Sequence, residues 1–471
     1  NRSIVPVGTF AEAQAQFLDP DPDAVVTLSE NLRNANMGVV AHYYMDVELQ
    51  GVLHAVGQEQ EKDFGSSRIA IADSLAMGDH AVRMCREEGV AAIACLGVDF
   101  MAESVSAIME RSGFGHIPVY RATMDPIGCS LAESAERDTY RAWLKTASQD
   151  VAALHVVYIN TSLETKAIST SLVPTITCTS SNVLATMLQA SAQMGPGKLK
   201  ILYGPDTYMG TNLITMFDAI LSAGETAEEP WDDARIARDL HPEHNRDSIQ
   251  ALRDSIDVYQ NGICVVHHMF GGEVVNAVKR NYDNAFVTAH LEVPGEMFEI
   301  AMTKSLEGKG VVGSTSDILK FISKKVAEAA ESGPGSASDP QRLQFILGTE
   351  AGMVTSIVKS VQDILDRTGN QNVEAEIVFP VASDAIMSVD DGGPDLAVVP
   401  GVGGGEGCST AGGCATCPFM KMNDLDALND VVEMVLSTQA DPKSSIHEVS
   451  LRGHLPPDRL KGKMLGDARA I

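Results

Sequence analysis

The chain has 471 residues, of which 35 are basic and 63 acidic, giving a formal charge of −28. Such a surface repels nucleic acid and anionic membrane faces, so neither is an expected partner. No apolar run reaches transmembrane length, and no signal peptide opens the chain. The first residue is Asn1, so we expect trimming from something longer. Eight cysteines spread over this length are unlike a secreted disulfide scaffold and predict a reducing compartment.

A first set of strand, helix start and cysteine begins near residue 37. The apolar run 37–44 ends in polar residues, and Ser74 stands where the next helix should begin. Residues 93–103 then predict a strand that ends in a glycine and an acid, and Cys129 follows. Short apolar strands that alternate with amphipathic helices are typical of βαβ units with parallel sheets.

The same order of features occurs twice more along the chain. The second set comprises residues 154–161, Ser180, residues 200–210 and Cys264; the third comprises residues 285–292, Ser314, residues 345–353 and Cys417. The carboxyl ends of parallel strands lie at one edge of a sheet. The repeat therefore predicts an α/β protein with three similar three-layer α/β/α domains, in a pseudo-threefold arrangement around a central active site. The predicted domains are 25–128 (completed by 418–471), 129–264 and 265–417.

The cysteines and serines of these sets allow more than one interpretation. Thiolates are the ligands that zinc, copper and iron–sulfur clusters prefer, but Cys414-x-x-Cys417 alone also fits half a zinc site or a redox pair. Each serine is either a plain helix cap or part of an anion site, and three in register favour the anion site. Neither a G-x-G-x-x-G after a strand nor a Walker A sequence is present, which is unfavourable for a nicotinamide or nucleotide enzyme. Cys85, Cys95 and Cys178 are predicted to be buried structural residues.

Twelve short blocks in one order, from near residue 37 to near residue 430, resemble the quinolinate synthase family. The blocks that carry the chemistry are His42-Tyr43-Tyr44, Asp73-Ser74-Leu75, Gly128-Cys129-Ser130, Tyr158-Ile159-Asn160, Thr179-Ser180-Ser181, Cys264-Val265-Val266-His267, His290-Leu291-Glu292, Gly313-Ser314-Thr315 and Cys417-Pro418-Phe419-Met420. The family usually has His-Pro-Glu where this chain has His290-Leu291-Glu292, and it usually has His-Asn-Tyr where this chain has His42-Tyr43-Tyr44. The chain is longer than the compact bacterial pattern and resembles the plastid enzyme of plants, with the synthase part only.

The resemblance implies an activity and a cofactor. The family condenses iminoaspartate with dihydroxyacetone phosphate, releases phosphate and water, and forms quinolinate in de novo NAD biosynthesis. One cysteine from each repeat, here Cys129, Cys264 and Cys417, holds a 4Fe-4S cluster. Three cysteine ligands leave one iron open to act as a Lewis acid, whereas a fourth ligand would suit electron transfer. Cys414, three residues before Cys417, is a candidate for a fourth ligand or for a disulfide switch with Cys417, and the alternative is a spare thiol.

Roles for the polar residues follow from the same resemblance. Glu292 is the expected general base, and Tyr44 is its acid or base partner. His267 joins this catalytic set. Of the three histidines His42, His267 and His290, we expect at least one to be only structural. The expected substrate-binding residues are His42, Ser74, Tyr158, Asn160, Ser180, His290, Ser314 and Thr315. For Glu292 the alternative role is that of a helix N-cap.

The resemblance also implies partners and a location. Aspartate oxidase would supply iminoaspartate, the iron–sulfur assembly machinery would deliver the cluster, and a homodimer is allowed. The expected location is the plastid stroma of the chloroplast, or the cytoplasm for a bacterial protein. Two other functions remain open at this point: another hydro-lyase with an open-site 4Fe-4S cluster, and a non-enzymatic iron–sulfur carrier or zinc-stabilised scaffold.

Overall fold

The computed structural model describes residues 4–7, 9–149, 151–222, 230–331, 341–370, 372–380 and 416–440. These residues contain three sheets of four strands each, and every strand pairing is parallel. In each sheet the first strand in sequence lies between the second and the third, and the fourth lies beside the third. Helices flank all three sheets. The predicted fold class, three similar α/β domains with parallel sheets, is confirmed.

The first sheet is built from the amino-terminal part of the chain. Its strands are β1 (Met37–His42), β2 (Ile69–Ala72), β3 (Ala92–Leu96) and β4 (Val119–Arg121). The accompanying helices are α1 (Thr9–Ala15), α2 (Pro22–Asn34), α3 (Val47–Phe64), α4 (Ser74–Arg83) and α5 (Asp99–Arg111), with a 3-10 turn at Gln16–Leu18 and a π turn at Met84–Glu88. All six residues of β1 are buried, as expected for a central strand covered on both faces.

The second sheet has the same strand order. Its strands are β5 (Ala153–Tyr158), β6 (Thr175–Cys178), β7 (Lys200–Gly204) and β8 (Ile256–Val258). Its helices are α6 (Ser130–Glu136), α7 (Asp138–Ala147), α8 (Leu163–Leu172), α9 (Val183–Met194), α10 (Thr207–Ser222), α11 (Asp233–Asp239) and α12 (Arg246–Ser255). Tyr140, Leu144 and Leu202 are fully buried in its core.

The third sheet follows and completes the repeat. Its strands are β9 (Phe286–His290), β10 (Gly310–Gly313), β11 (Gln341–Gly348) and β12 (Val373–Val378). Its helices are α13 (Gly272–Asn281), α14 (Gly295–Leu306), α15 (Thr315–Glu331) and α16 (Met353–Thr368), with a 3-10 turn at His267–Phe270. A 3-10 turn at Met420–Met422 and α17 (Leu425–Ala440) follow later in the chain. Ile318, Phe345 and Ile357 lie in the core of this sheet and have no exposed surface.

The described residues form two compact units. One comprises residues 4–128, 265–290 and 299–440 and contains the first and third sheets; the other comprises 129–264 and 291–298 and contains the second sheet. In the first unit α17 packs against α2, and Gln439 Nε2 donates to the Ala35 carbonyl at 3.0 Å. The domain boundaries inferred from the sequence stay a prediction.

Local sequence explains where several of these helices begin and end. The Asp46 carboxylate caps α3 by accepting from the Glu48 and Leu49 backbone N–H groups. Gly65 ends that helix with a φ of 75°, a conformation that favours glycine. In the described part of the chain, every helix is too short or too polar to cross a membrane.

Candidate active site

Two predicted thiols of the second unit lie on connected segments. Cys129 directly precedes α6, and Cys264 lies in the loop after β8. Ser130 Oγ donates to the Ile263 carbonyl at 3.1 Å. The residue after one cysteine is therefore bonded to the residue before the other, which brings these two parts of the unit together.

The Cys129 thiol has the surroundings of a metal ligand. Burial raises its pKa to about 11, while the backbone N–H groups of Ala132 and Leu131 bond the sulfur and lower the pKa. The charge of Glu292 acts in the raising direction. Cys129 is half-buried, and a sulfur that already receives backbone N–H bonds becomes a stable thiolate when a cation replaces its proton. This donor chemistry fits the iron–sulfur ligand role expected from the sequence.

Glu292 follows β9 and is 3% exposed. The Tyr158 hydroxyl, at the end of β5, donates to its Oε1. One carboxylate oxygen of Glu292 lies within 4.8 Å of the Cys264 sulfur. The buried carboxylate of Glu292, the phenol of Tyr158 and the thiol of Cys264 thus lie together within the second unit. Such a group of side chains can combine proton transfer with cofactor binding.

Two buried side chains at the start of α10 support this region, and sequence analysis gave neither of them a role. Asn212 Nδ2 donates to the Leu291 carbonyl at 2.9 Å and to the Val293 carbonyl at 2.7 Å, on both sides of Glu292. Asp206 Oδ1 accepts from the Met209 backbone N–H at 2.8 Å, and Oδ2 has no hydrogen-bond partner among the described residues. Burial, and then the charge of Glu292, raise the Asp206 pKa well above its usual range, so the protonated form of this side chain is favoured. The sequence did contain an indication of Asp206, because it is the acid that follows the glycine of the predicted segment 200–210 in the second set.

Four of the predicted aromatic and histidine residues meet in the first unit. His42 ends β1, and its Nδ1 accepts from the Tyr44 backbone N–H at 3.2 Å. The Tyr44 ring lies edge-on to His42, with the ring centroids 4.6 Å apart. The His267 and His290 rings stack at 4.8 Å, and Tyr44 lies 6.2 Å from His267. Because His42, His267 and His290 are buried, these rings form an interior polar cluster rather than a surface patch.

The Tyr44 hydroxyl shares a hydrogen bond of 3.1 Å with Thr349 Oγ1, at the end of β11. The next residue, Glu350, is fully buried, and burial raises its pKa to about 8. Its Oε1 accepts from the Cys417 backbone N–H at 2.9 Å, and its Oε2 accepts from the Gly352 N–H at 2.9 Å. The third predicted thiol is thus tied to the end of β11. Sequence analysis noted the glycine and acid at this point but did not link them to Cys417.

The predicted anion-binding serines have different local settings. Ser74 is the first residue of α4, but the helix cap is Asp73, whose carboxylate accepts from the Leu75 and Ala76 N–H groups. Ser314 precedes α15 and exchanges hydrogen bonds with Asp317, whose N–H donates to Ser314 Oγ at 3.2 Å. Two of the three helix starts therefore already carry a carboxylate, so a bound anion there would depend on hydroxyl donors more than on bare helix ends.

The remaining predicted residues lie at comparable positions. Asn160 stands two residues beyond the end of β5, and Ser180 stands two residues beyond the end of β6; both are half-buried. Thr315 is the first residue of α15 and is buried. The structural prediction for the other thiols is confirmed, because Cys85, Cys95 and Cys178 are all buried. The predicted alternative ligand or switch residue, Cys414, lies outside the described residues, as does Cys408.

Comparison with known proteins adds an independent finding. Residues 26–444 match the family described as NadA, quinolinate synthetase A protein. The chain is 48% identical over 439 residues to the chloroplastic quinolinate synthase of Oryza sativa, covering 89% of this chain and 58% of that protein. It is 49% identical over 429 residues to the protein of the same name from Arabidopsis thaliana, covering 89% and 56%. A quinolinate synthase of Ehrlichia chaffeensis is 24% identical over 408 residues, covering 86% and 88%. The chain therefore spans about six tenths of the length of the plant relatives.

Proposed function

Because this chain belongs to the quinolinate synthetase A protein family, we propose that it is a quinolinate synthase. The proposed reaction condenses iminoaspartate with dihydroxyacetone phosphate and releases phosphate and water, in de novo NAD biosynthesis. The observation that carries the proposal is the grouping of Glu292, Tyr158 and Cys264 in the second unit. A condensation followed by dehydration needs a base for proton removal beside a group that can assist the loss of hydroxide.

The proposed cofactor is a 4Fe-4S cluster held by Cys129, Cys264 and Cys417. When bound, it supplies one iron without a cysteine ligand, which acts as a Lewis acid toward a substrate oxygen. The burial that raises the pKa of Cys129 to about 11 supports the assignment, because a lone buried thiolate is unstable until a cation compensates its charge. The N–H groups of Leu131 and Ala132 then stabilise the sulfur charge.

We propose Glu292 as the general base that removes protons from the condensing substrate. The Tyr158 hydroxyl holds Oε1 and so limits rotation of the carboxylate. A buried carboxylate of fixed orientation is a more effective base than a mobile exposed one, since little reorganisation is needed as the proton moves. Asn160, near the end of the same strand as Tyr158, offers an amide that can both donate to and accept from an imino acid.

In the first unit, Tyr44, His42, His267 and His290 would donate and accept protons. The Tyr44 N–H donates to Nδ1 of His42, so a neutral His42 carries its proton on Nε2. His42 is a proposed substrate-binding residue. The Tyr44 hydroxyl bonds Thr349, which fixes the direction in which it can donate or accept a proton. We assign His267 to the catalytic set and His290, stacked on it, to substrate binding.

Hydroxyl groups would bind the anionic parts of the substrates. The proposed residues are Ser74, Ser180, Ser314 and Thr315. Ser74 stands beside the capping acid Asp73, so this site offers one hydroxyl donor next to a carboxylate. The Ser314 hydroxyl donates to Asp317 and accepts the Asp317 N–H, so it would bind a substrate oxygen by turning its proton away from Asp317. Such a site discriminates between substrate oxygens by position, because a second oxygen placed near the acid would be repelled.

Location and partners are proposed from the relatives. The rice and Arabidopsis proteins are named chloroplastic, so we place this protein in the plastid, in the stroma. Aspartate oxidase is the proposed source of iminoaspartate, which hydrolyses readily and benefits from immediate use. The iron–sulfur assembly machinery is the proposed source of the cluster, and a homodimer is the proposed assembly.

Oxygen-free protein tests the function directly. Aspartate, aspartate oxidase and dihydroxyacetone phosphate are incubated with cluster-loaded protein, and quinolinate is quantified by chromatography. Quinolinate that depends on both substrates is the expected result. Cluster-loaded protein that makes none would favour a different hydro-lyase. Zinc in place of iron, or ready transfer of the cluster to an apo-acceptor, would favour a scaffold or a carrier.

The ligand assignment has its own test. Cys129→Ser, Cys264→Ser and Cys417→Ser should each lose the brown colour and most of the bound iron. Cys85→Ser is the matched control, because Cys85 is a buried thiol of the first unit with no proposed ligand role. A Cys264→Ser protein that keeps full iron and sulfide content would refute the ligand set.

A further inference from the structure

Each sheet has a similar corner at the carboxyl end of its third strand. The three corners are Gly97-Val98-Asp99 after β3, Gly204-Pro205-Asp206 with Thr207 after β7, and Gly348-Thr349-Glu350 after β11. In all three cases, the corner is hydrogen-bonded to the segment that carries a thiol. The sequence separations are large, so these bonds are features of the folded chain and not of local turns.

The first corner is bonded two residues before Cys129. The Asp99 N–H donates to the Ile127 carbonyl at 3.0 Å, and the Ile127 N–H donates to Asp99 Oδ1 at 3.2 Å. Both polar groups of the Ile127 backbone are therefore held by one residue. Arg121 also pairs with the Asp99 carboxylate and limits its movement. Ile127 is fully buried, so the chain leaves the core at a fixed position two residues before Cys129.

The second corner repeats this arrangement two residues before Cys264. The Thr207 N–H donates to the Gly262 carbonyl at 2.8 Å, and the Gly262 N–H donates to Thr207 Oγ1 at 3.2 Å. The Thr207 hydroxyl in turn donates to the Tyr259 carbonyl at 2.9 Å. A Cβ at Gly262 would lie 2.0 Å from the Pro205 carbonyl oxygen, so the loop passes against the corner at a distance that only glycine allows.

The third corner is bonded to a thiol-bearing residue itself. Glu350 accepts the Cys417 N–H with one oxygen and the Gly352 N–H with the other, both at 2.9 Å. Glu350 makes this connection with its side chain alone, whereas Asp99 and Thr207 each use a backbone N–H and a side-chain oxygen. A different residue type thus supplies the same connection in each repeat.

We propose that Asp99, Thr207 and Glu350 are positioning residues that fix the backbone presenting Cys129, Cys264 and Cys417. The inference rests on the proposed role of these thiols as ligands. Two hydrogen bonds at one loop residue restrict its backbone dihedrals, so the sulfur is confined before any metal binds. Loss of such a bond should loosen the thiol without removing it. Cluster retention should then fall while the ligand set stays complete.

Thr207 gives the sharpest test, because valine has nearly the same shape as threonine but lacks the hydroxyl. Thr207→Val keeps the side-chain volume and the backbone N–H but removes the hydroxyl, whereas Thr207→Ser keeps the hydroxyl. A lost hydrogen bond of ordinary strength corresponds to a change of about twofold to tenfold. We expect loss of the visible absorbance of the cluster to an iron chelator to be faster by about that factor in Thr207→Val and unchanged in Thr207→Ser. Thr211→Val, an exposed position one turn further along α10, is the matched control.

A second readout needs no cluster. In metal-free protein, the alkylation rate of Cys264 by iodoacetamide is measured by peptide mass spectrometry. We expect the rate to rise in Thr207→Val and to remain at the wild-type value in Thr207→Ser and Thr211→Val. Equal Cys264 alkylation in wild type and Thr207→Val would overturn the inference. Wild-type protein that binds no iron would instead overturn the proposed cofactor, and alkylation would still decide the positioning role.

Asp99 provides a second pair in case Thr207→Val does not fold. Asp99→Ala removes the acceptor for the Ile127 N–H, and Asp99→Asn keeps an oxygen at the same position. Faster alkylation of Cys129 in the alanine variant, with recovery in the asparagine variant, supports the inference. No difference between these two variants would contradict it. A thermal melt of each protein identifies any variant that is generally unfolded.

Discussion

Asn212 is the clearest test of how the fold supports the proposed base. This residue, the sixth of α10, is 1% exposed, and its amide donates to the carbonyls on both sides of Glu292 at 2.9 and 2.7 Å. Asn212→Ala removes both bonds and leaves the Glu292 side chain unchanged. At about 1 kcal/mol for each bond, the variant should lose roughly 2 kcal/mol of folding stability.

The same free energy sets a limit on the kinetic effect. If all of it serves to hold Glu292 in its working position, kcat falls by about 30-fold, since roughly 1.4 kcal/mol corresponds to tenfold in rate. KM should change little, because Asn212 bonds only to the protein backbone. A loss confined to kcat is therefore the expected signature of positioning.

The assay combines anaerobic steady-state quinolinate formation with urea unfolding of the same preparation. Thr215→Ala is the control, because Thr215 is a half-buried residue of the same helix and its hydroxyl bonds only the Thr211 carbonyl among the contacts described. A stability loss near 2 kcal/mol with unchanged kcat would refute the positioning role and leave Asn212 a structural residue. If both kcat and stability stay at wild-type values, the two hydrogen bonds carry no net free energy.

Three further predictions follow from charge and protonation. Burial lowers the His155 pKa to about 3, so the folded protein keeps this ring neutral while the unfolded chain takes up a proton below about pH 6.5. The free energy of unfolding should therefore fall as the pH drops below that value, by up to about 1.4 kcal/mol per pH unit. In thermal melts at pH 7 and pH 5, the change in melting temperature should be smaller for His155→Gln than for the wild type. Glu292→Gln should keep wild-type iron content and lose turnover by at least about 100-fold, as measured in the quinolinate assay. Because the charge of −28 repels anions, kcat/KM for dihydroxyacetone phosphate should rise between about 20 and 200 mM salt as screening increases.

Each of these predictions has a contrary result. An equal pH dependence in wild type and His155→Gln would mean that this histidine does not contribute to acid sensitivity. Turnover retained by Glu292→Gln would remove its role as base. A kcat/KM that falls with salt would mean that local positive dipoles, not the net charge, control the approach of the phosphate.

The repeat and the strand positions were predictable because they depend on local composition. The three runs that open each set were placed at 37–44, 154–161 and 285–292, and β1, β5 and β9 lie within one residue of these starts. The predicted ends are two or three residues too long. Ladder pairing stops at His42, opposite Ala72, and at His290, opposite Gly313, because the neighbouring strands end there. The polar residues beyond these points stand in turns outside the strand ladder, where side chains commonly serve a site.

The supporting contacts were not predictable from the sequence. Asn212 holds backbone that is 79 and 81 residues away, and Glu350 holds a residue 67 positions away. Side-chain type gives no indication of such a partner. A buried Asn in an apolar helix and an acid after a glycine have many structural explanations. The helix caps were a smaller failure of the same kind: Asp73, directly beside Ser74, is the better acceptor for two N–H groups and takes the position expected for the serine.

These capping acids affect how an acidic protein can bind anionic substrates. The N-terminus of α4 is neutralised by Asp73, and Asp73 Oδ2 also accepts from Ser316 Oγ of α15 at 3.4 Å. A phosphate cannot be held there by a helix dipole that is already compensated, so binding at this point needs hydroxyl donors in defined positions. Hydroxyls bind anions more weakly than guanidinium groups do, and they release phosphate more readily. Release is what a reaction with phosphate as a product requires, and so a neutral site in an acidic protein is consistent with the proposed chemistry.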